Sequence, residues 1–555
     1  MPEARPHERF AARLSRTPSP NGDPDAGMRG VSHYERRLRG WRFRLRNKLI
    51  PIVRWETPYL AYMQKTLRSP WLDTYFALTA NLGTHTFFMT AIPICFWCSY
   101  PDVGLAMVHM LALGVYLSGF VKDMVCLPRP LSPPLQRITM SGSAAMEYGF
   151  PSTHTTNAVS VALFCLYRLY IHQEHYTSTS YSMLQVALYG YAISIAFGRM
   201  YCGMHGFFDV IIGAALGAAI ASVQILYGAA YDNWLIAGGW QQVAILVAIL
   251  AVAVRIHPEP ADNCPCFDDS VAFAGVVMGA AIATWHYGVM NAHITTEHAA
   301  MYAFDSSPIK IAARIVGGIV IVFLWRAATK PILLRGLPPV FRFVDRWGLA
   351  LPRRYFLQAR QYQRVPPLRE DDNVLPSPSS LPALFSNLRQ RKRAVSIGPQ
   401  SEADAREFIA NRAQKRRDSR AGLKSEQNAQ RRVQRKTAAL PSPAVEDIEN
   451  GTIADNSSPE TTSYLSAGTQ ARVGQQHLQV NGVDAALLTP PLSDAGASSD
   501  SGKEDEKNDK DMFSGLEKPR IRYDVEVITK IVVYAGIGWW AIEGNPLWFR
   551  AVGIA

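Results

Sequence analysis

Cysteine is scarce in this sequence, and its scarcity argues against two kinds of architecture. Seven cysteines in 555 residues do not form the disulfide framework of a small secreted domain. Cys95 and Cys98 have the spacing of zinc ligands, but they lie in an apolar run without a matching second pair. Cys264 and Cys266 lie in a polar loop, where they could pair with other cysteines in a lumen or remain thiols in the cytosol. The cysteines therefore predict neither a disulfide scaffold nor a zinc finger.

An apolar segment is missing from the N-terminus, whose first residues lack the core of a signal peptide. The formal net charge of +12 invites a nucleic-acid interpretation. The basic residues, however, concentrate at 36–48 and 330–354, on either side of a long apolar region. Basic segments in this position anchor membrane proteins to anionic headgroups and set their topology. The charge pattern therefore predicts a membrane as partner and no nucleic acid.

The composition divides the chain. Residues 71–329 are mainly apolar, whereas residues 365–518 are rich in Ser, Pro, Gln and charged side chains, which cannot bury enough apolar surface to offset their ordering entropy. A helix needs about 20 mainly apolar residues to cross a bilayer. The candidate spans are 84–100, 103–121, 154–172, 183–200, 206–228, 234–256, 270–290, 312–329 and 526–543. We predict an all-α polytopic transmembrane helix bundle of about eight or nine spans with a long disordered insert.

Five regions follow from this division. They are a basic, largely disordered N-terminal region (1–55), a membrane-embedded domain (56–330), a basic juxtamembrane segment (331–364), a disordered polar insert (365–518) and a C-terminal membrane helix with its tail (519–555). Segment 56–82 could lie along the membrane interface or cross as a marginal helix. Small residues cluster at 213–222 and 275–283, and they predict close helix packing.

A first polar cluster ends the second candidate span. Lys122 and Arg129 are seven residues apart, so both could face one cavity if the helix continues for two turns. Pro128 and Pro130 stop the helix and hold Arg129 in an extended turn. Taken alone, this cluster could also be a basic span end that lies among the headgroups.

A second cluster, Ser152, Thr153 and His154, begins the third candidate span. A helix start offers unpaired backbone N–H groups and the positive end of its dipole, which favour a bound phosphate. Ser152 can cap the helix or donate its hydroxyl to a phosphate oxygen. A lone histidine at a helix start is more often structural, so this cluster by itself does not decide the function.

A third cluster joins the fourth and fifth candidate spans. Arg199 ends the fourth, and His205 and Asp209 begin the fifth. Residues four apart share one face of a helix, so the two side chains can meet. A carboxylate that accepts a hydrogen bond from one imidazole nitrogen fixes the tautomer and leaves the other nitrogen as a nucleophile. The pair could also be a helix-terminal polar pair without chemistry.

Together the three clusters predict a phosphoryl-transfer site. In a bundle with short loops, the ends of spans two and four and the starts of spans three and five lie at one membrane face. Three cations suit the charge spread over the oxygens of a phosphoryl group. Attack by a neutral histidine, with a second histidine protonating the leaving group, completes a double displacement. No carboxylate cluster offers metal ligands, so we predict no metal and no cofactor.

These clusters resemble the three-part signature of the type 2 phosphatidic acid phosphatase superfamily, K-x6-RP, PSGH and SR-x5-H-x3-D, over residues 120–210. The resemblance implies a six-helix-type catalytic core, which makes 56–330 a lipid phosphatase domain. It implies that His205 forms a phosphohistidine and that His154 acts as the general acid, while Asp209 orients His205. The remaining residues of the signature would bind the phosphate, and they are Lys122, Arg129, Ser152, Thr153 and Arg199.

Two positions depart from the signature. Thr153 stands where glycine is usual and narrows the backbone approach to the phosphate. Gly198 stands where serine is usual, which removes one hydroxyl donor, so Gly198 is not counted in the site. Neither change touches a histidine, and activity is expected to survive.

A longer similarity narrows the substrate. Over residues 55–330, segments such as LGTHTFF, GRMYCGMHG and CPCFDDS are similar to the sphingoid-base 1-phosphate phosphatases of the endoplasmic reticulum, in particular their fungal branch. This implies a multi-pass phosphoric monoester hydrolase of sphingolipid metabolism that acts on lipid phosphates such as dihydrosphingosine 1-phosphate. A phosphatase for phosphatidate or an isoprenoid diphosphate, and a lipid-phosphate transporter or binding protein, remain alternatives. Whether the site faces lumen or cytosol depends on whether 56–82 crosses the membrane.

Overall fold

The computed structural model describes residues 25–138, 146–291, 302–365 and 521–555, apart from 84, 133, 303, 306 and 349–351. The described chain is about 79% helical, and its strands form one short parallel pairing of β1 (Phe356–Leu357) and β2 (Arg522–Tyr523). The helices are α1 (Val31–Arg37), α2 (Gly40–Leu67), α3 (Pro70–Thr79), α4 (His85–Trp97), α5 (Pro101–Val125), α6 (Thr153–Ile171), α7 (Ser178–Tyr201), α8 (Phe207–Ala237), α9 (Trp240–Ile256), α10 (Cys266–Asn291), α11 (Pro308–Arg346), α12 (Val525–Trp539) and α13 (Asn545–Ala551). The all-α class is therefore confirmed, while the predicted insert lies, from residue 366 on, outside the described residues.

Five of the described helices are long and apolar enough to cross a membrane. They are α5, α8, α10, α11 and the continuous helix Val525–Ala551, in which a π-helical turn joins α12 to α13. Helix α9 is apolar but shorter. Several such helices make this a multi-pass membrane protein, while the predicted total of eight or nine spans goes beyond these five.

Glycines bring α6 and α8 into close contact. A Cβ atom on Gly213 would lie 2.7 Å from the carbonyl oxygen of Ser152, and one on Gly217 would lie 2.4 Å from that of Thr156. Thr156 Oγ1 donates a hydrogen bond across the same contact to the Gly213 carbonyl, at 3.0 Å. The close packing predicted for 213–222 is thus confirmed, because larger residues would hold the two backbones apart. It brings the first turns of α6 and α8 together.

Helix α2 lies across one end of the bundle. Arg42 and Arg46 donate hydrogen bonds to backbone carbonyls at the C-terminal end of α5. Glu56 accepts one from the backbone N–H of Phe208 at the start of α8, and Gln64 donates one to the carbonyl of Tyr201 at the end of α7. These contacts lie along most of α2, and all of them join it to the same end of the helical bundle. We call this the α2-covered end.

Two expectations about the N-terminal part change accordingly. The prediction that residues 1–55 are largely disordered is wrong for residues 31–55, nearly all of which lie in α1 and α2. Arg46 is buried, and its guanidinium lies 3.6 Å from the ring centroid of Tyr34, so a charge predicted to contact lipid headgroups is instead paired with carbonyls and an aromatic ring. Residues 56–67 belong to α2 and lie across the end of the bundle. This part of segment 56–82 therefore matches the alternative in which the segment lies along the membrane interface.

The predicted boundary at residue 330 is not a helix end. Helix α11 continues to Arg346, through Pro331, Pro338 and Pro339, so residues 331–346 extend the last helix of the membrane domain. The change in composition marks where the helix becomes more polar, whereas backbone hydrogen bonding can continue beyond that point. Past α11, the guanidinium of Arg353 lies 3.6 Å from the ring centroid of Phe267, against the start of α10.

Candidate active site

Hydrogen bonds join the segments that carry the predicted site. Arg129 Nη1 donates to the carbonyl of Met204 at 2.9 Å, which links the loop after α5 to the loop before α8. The backbone N–H of Ser152 donates to the carbonyl of Asp209 at 3.1 Å, which links the starts of α6 and α8. The segments that topology was expected to gather therefore meet at the α2-covered end.

His205 lies in the turn between α7 and α8 and is 1% exposed. Gly203 reverses the chain there with a φ of +64°, a conformation that favours glycine. The Nδ1 atom of His205 lies 2.8 Å from the carbonyl oxygen of Gly149, which can only accept a hydrogen bond. Nδ1 therefore carries the proton, and Nε2, 3.4 Å from Arg129 Nη1, keeps its lone pair on the side of the cations.

Asp209 has a different position from the one expected of an orienting carboxylate. Its Oδ2 atom lies 3.6 Å from His205 Nδ1, beyond hydrogen-bonding distance, and accepts a hydrogen bond from the backbone N–H of Gly206 at 3.0 Å. Asp209 thus caps α8, while the Gly149 carbonyl holds the ring. Sequence reasoning missed Gly149 because a backbone acceptor leaves no side-chain signal.

Two of the predicted phosphate-binding cations lie close to a carboxylate. Arg129, 4% exposed, donates from Nη2 to Glu147 Oε2 at 3.0 Å, and Lys122 Nζ lies 3.9 Å from the same oxygen. Glu147 was not among the predicted site residues. Its presence could have been suspected from its place five residues before Ser152 in the same segment.

Arg199 is the third cation, and it is buried at the end of α7. Its Nε atom has no hydrogen-bond partner among the described residues. A buried guanidinium without a full set of acceptors is unfavourable unless a ligand supplies them. The Nε atom of Arg199 is therefore a buried donor that a phosphate oxygen could accept from.

The surroundings of His205 keep its imidazole neutral. Burial lowers the pKa of His205 well below its ordinary value, and the charges of Arg129, Arg199, Lys122 and His154 lower it further. A neutral imidazole among cations is the protonation state that a nucleophile for a phosphate requires.

The hydroxyl groups of Ser152 and Thr153 bond within the protein. Ser152 Oγ accepts a hydrogen bond from the backbone N–H of Thr155, which caps α6, and Thr153 Oγ1 lies 2.8 Å from Ser118 Oγ. The first of these matches the capping alternative for Ser152. A phosphate contact from these residues would then come from the backbone N–H of Thr153, because that of Ser152 donates to the Asp209 carbonyl.

Two groups of possible metal ligands occur among the described residues, and neither contains His154 or His205. One comprises Asp123, Cys264 and Cys266, all of which are buried. The other lies around the loop that follows α6 and comprises His172, Glu174 and His175. Cys264 Sγ and Cys266 Sγ lie 2.6 Å apart and therefore contact each other rather than a distant cysteine. The cations around His205 are not a metal-ligand set.

Fold and site together define a class, a multi-pass membrane protein in which a buried histidine, His205, and the cations Arg129 and Lys122 meet at one end of a helical bundle. A family model described as the PAP2 superfamily matches residues 103–232, which include all three clusters. The chain belongs to this superfamily. No solved structure matches the chain.

Individual relatives narrow the class. The chain is 39% identical over 330 residues to a dihydrosphingosine 1-phosphate phosphatase of Schizosaccharomyces pombe, covering 58% of this chain and 78% of the relative. It is 34% identical over 322 residues to a dihydrosphingosine 1-phosphate phosphatase of Saccharomyces cerevisiae, with the same two shares. It is 28% identical to the lipid phosphate phosphatase delta of Arabidopsis thaliana, covering 48% of this chain and 65% of the relative. The resemblance to fungal sphingoid-base 1-phosphate phosphatases is confirmed.

Proposed function

We propose that this protein is a metal-independent lipid phosphatase that hydrolyses long-chain sphingoid-base 1-phosphates, such as dihydrosphingosine 1-phosphate, in the membrane of the endoplasmic reticulum. The observation that carries the proposal is the buried, neutral His205 with Nε2 beside Arg129 and within the field of Arg199 and Lys122. The names of the two fungal relatives support the substrate class. The apolar helices support a membrane location, and the endoplasmic reticulum is what the family resemblance implies.

The first half of the reaction forms a phosphohistidine. The Nε2 lone pair of His205 attacks the phosphorus atom, and the bond from phosphorus to the ester oxygen breaks. The departing alkoxide takes a proton from His154 and leaves as the free long-chain base. Lys122, Arg129 and Arg199 bind the phosphoryl oxygens throughout and stabilise their charge in the transition state.

The second half restores the enzyme. His154, now neutral, takes a proton from a water molecule whose oxygen attacks the phosphorus atom. The bond from phosphorus to Nε2 breaks, its electron pair returns to His205, and inorganic phosphate leaves. The hydrogen bond from Nδ1 to the Gly149 carbonyl keeps the ring in place through both steps.

A substrate panel tests the proposed function. Purified full-length protein should hydrolyse dihydrosphingosine 1-phosphate with a kcat/KM at least about tenfold above that for phosphatidate or an isoprenoid diphosphate. The His205→Ala variant, purified in parallel, corrects for contaminating phosphatases. Comparable turnover of phosphatidate would contradict the substrate assignment. Lipid-phosphate translocation that persists in His205→Ala would instead favour the transporter alternative.

Chelation tests the metal-free mechanism. Because cations rather than metal ligands surround His205, EDTA should change the initial rate by less than about twofold. Vanadate, which adopts the five-coordinate geometry of a transferring phosphoryl group, should inhibit strongly. Both effects are measured as phosphate release from the same preparation. A rate that falls with EDTA and returns with Mg²⁺ would contradict the mechanism.

A further inference from the structure

A carboxylate lies within the group of cations that would bind the phosphate. Glu147 Oε2 is 3.0 Å from Arg129 Nη2 and 3.9 Å from Lys122 Nζ. The side chain of Glu147 is 28% exposed, whereas those of Lys122 and Arg129 are 7% and 4% exposed. Glu147 is therefore the most accessible of these three side chains.

Hydrogen bonds of Glu147 and of the two residues that follow it fix the position of Glu147 in the site. The Nε atom of Arg129 donates a hydrogen bond to the backbone carbonyl of Glu147 at 3.2 Å. The next residue, Tyr148, is fully buried, and its hydroxyl donates to Asp262 at 3.1 Å. Gly149, which follows, holds the imidazole of His205. The carboxylate is thus carried by the same short segment that orients the nucleophile.

A carboxylate at this place is unfavourable for a bare phosphate. It repels the phosphoryl dianion and competes with it for Arg129 and Lys122, and both effects are strong in a buried site. A substrate that brought its own positive charge next to the phosphate would turn this repulsion into attraction. The site geometry therefore favours a phosphate ester with a neighbouring cation.

We propose that Glu147 binds the ammonium group of the substrate and so selects aminolipid phosphates over phosphatidate. This inference rests on the proposed function. In a sphingoid-base 1-phosphate only two carbon atoms separate the ester oxygen from the amino nitrogen, so phosphate and ammonium can occupy adjacent subsites. In phosphatidate the corresponding carbon carries an uncharged acyl ester, which offers Glu147 no partner. Glu147 is thus a specificity-determining residue for the hydrolysis at His205.

The test compares three substrates on the full-length protein. They are dihydrosphingosine 1-phosphate, its N-acetyl derivative, which lacks the charge, and phosphatidate. Glu147→Gln should lower kcat/KM for the amine substrate by about 30-fold or more, mainly through KM, because a close charge pair is lost. The same variant should leave the other two substrates unchanged or improved. Glu174→Gln, at an exposed position in the loop after α6, is the matched control and should alter none of the three.

The outcomes separate the two hypotheses. An equal loss on all three substrates would mean that Glu147 only positions Arg129, and it would overturn the inference while leaving the proposed function intact. An unchanged rate on the amine substrate would overturn it as well. If the wild-type protein itself prefers phosphatidate, the proposed substrate class fails, and the inference fails with it.

Discussion

Replacing His205 by alanine is expected to abolish turnover, with kcat falling at least about 10⁴-fold, because the variant has no atom that can form the covalent intermediate. The loss should be the same for every phosphate ester, since the nucleophile acts on the phosphorus atom and not on the lipid. Phosphate release and the acid-labile phosphoenzyme trapped after brief mixing with labelled substrate both measure it. Neither signal should exceed background.

His154→Ala separates the roles of the two histidines. Without its general acid, the enzyme should still form the phosphohistidine slowly, so a labelled phosphoenzyme should accumulate although steady-state turnover is low. His175→Ala, at an exposed position outside the site, is the matched control and should behave as wild type. If His205→Ala retains the same residual activity as His154→Ala, the assignment of nucleophile and acid is wrong.

Arg199→Ala should have the second largest effect, a loss of about 10² to 10³ in kcat/KM. Arg199 is buried, and its Nε atom lacks a partner among the described residues, so this donor is available to the transferring phosphoryl group. Arg199→Lys should recover only part of the loss, because an ammonium group cannot replace the two-pronged contact of a guanidinium. Initial rates over a range of substrate concentrations measure both variants.

Arg168→Ala is the control, because it also removes an arginine from the last turn of a helix but at a place outside the site. Arg168 lies in the last turn of α6, far along that helix from the first turn beside His205. Its removal should leave kcat/KM within about twofold of wild type, since it cannot reach the phosphate. Thermal unfolding of the purified variants shows whether any loss comes from misfolding. A similar effect in Arg168→Ala and Arg199→Ala would refute a specific role for Arg199.

Much of the helical architecture could be predicted from the sequence because helix starts, helix ends and apolar length are local properties. Long apolar runs predicted α5, α6 and α10 within about four residues at each end, and the small residues of 213–222 indicated the close contact of α6 with α8. The boundaries at 55 and 330 were misplaced for a common reason. Basic composition marks the membrane surface, but it does not show whether the chain stays helical or packs against the bundle there.

The sequence by itself determined which chemical groups are available at the ends of the spans, since the three clusters and their spacings are local and specific. Only the tertiary structure decided how those groups are held. In that structure the Gly149 carbonyl accepts a hydrogen bond from His205 Nδ1, and Asp209 caps α8. The carboxylate of Glu147 lies close to both Lys122 and Arg129. Each of these contacts joins segments that are distant in sequence or uses a backbone atom. The contacts of Gly149 and Glu147 leave no pattern along the chain, because they exist only once the helix ends have packed together.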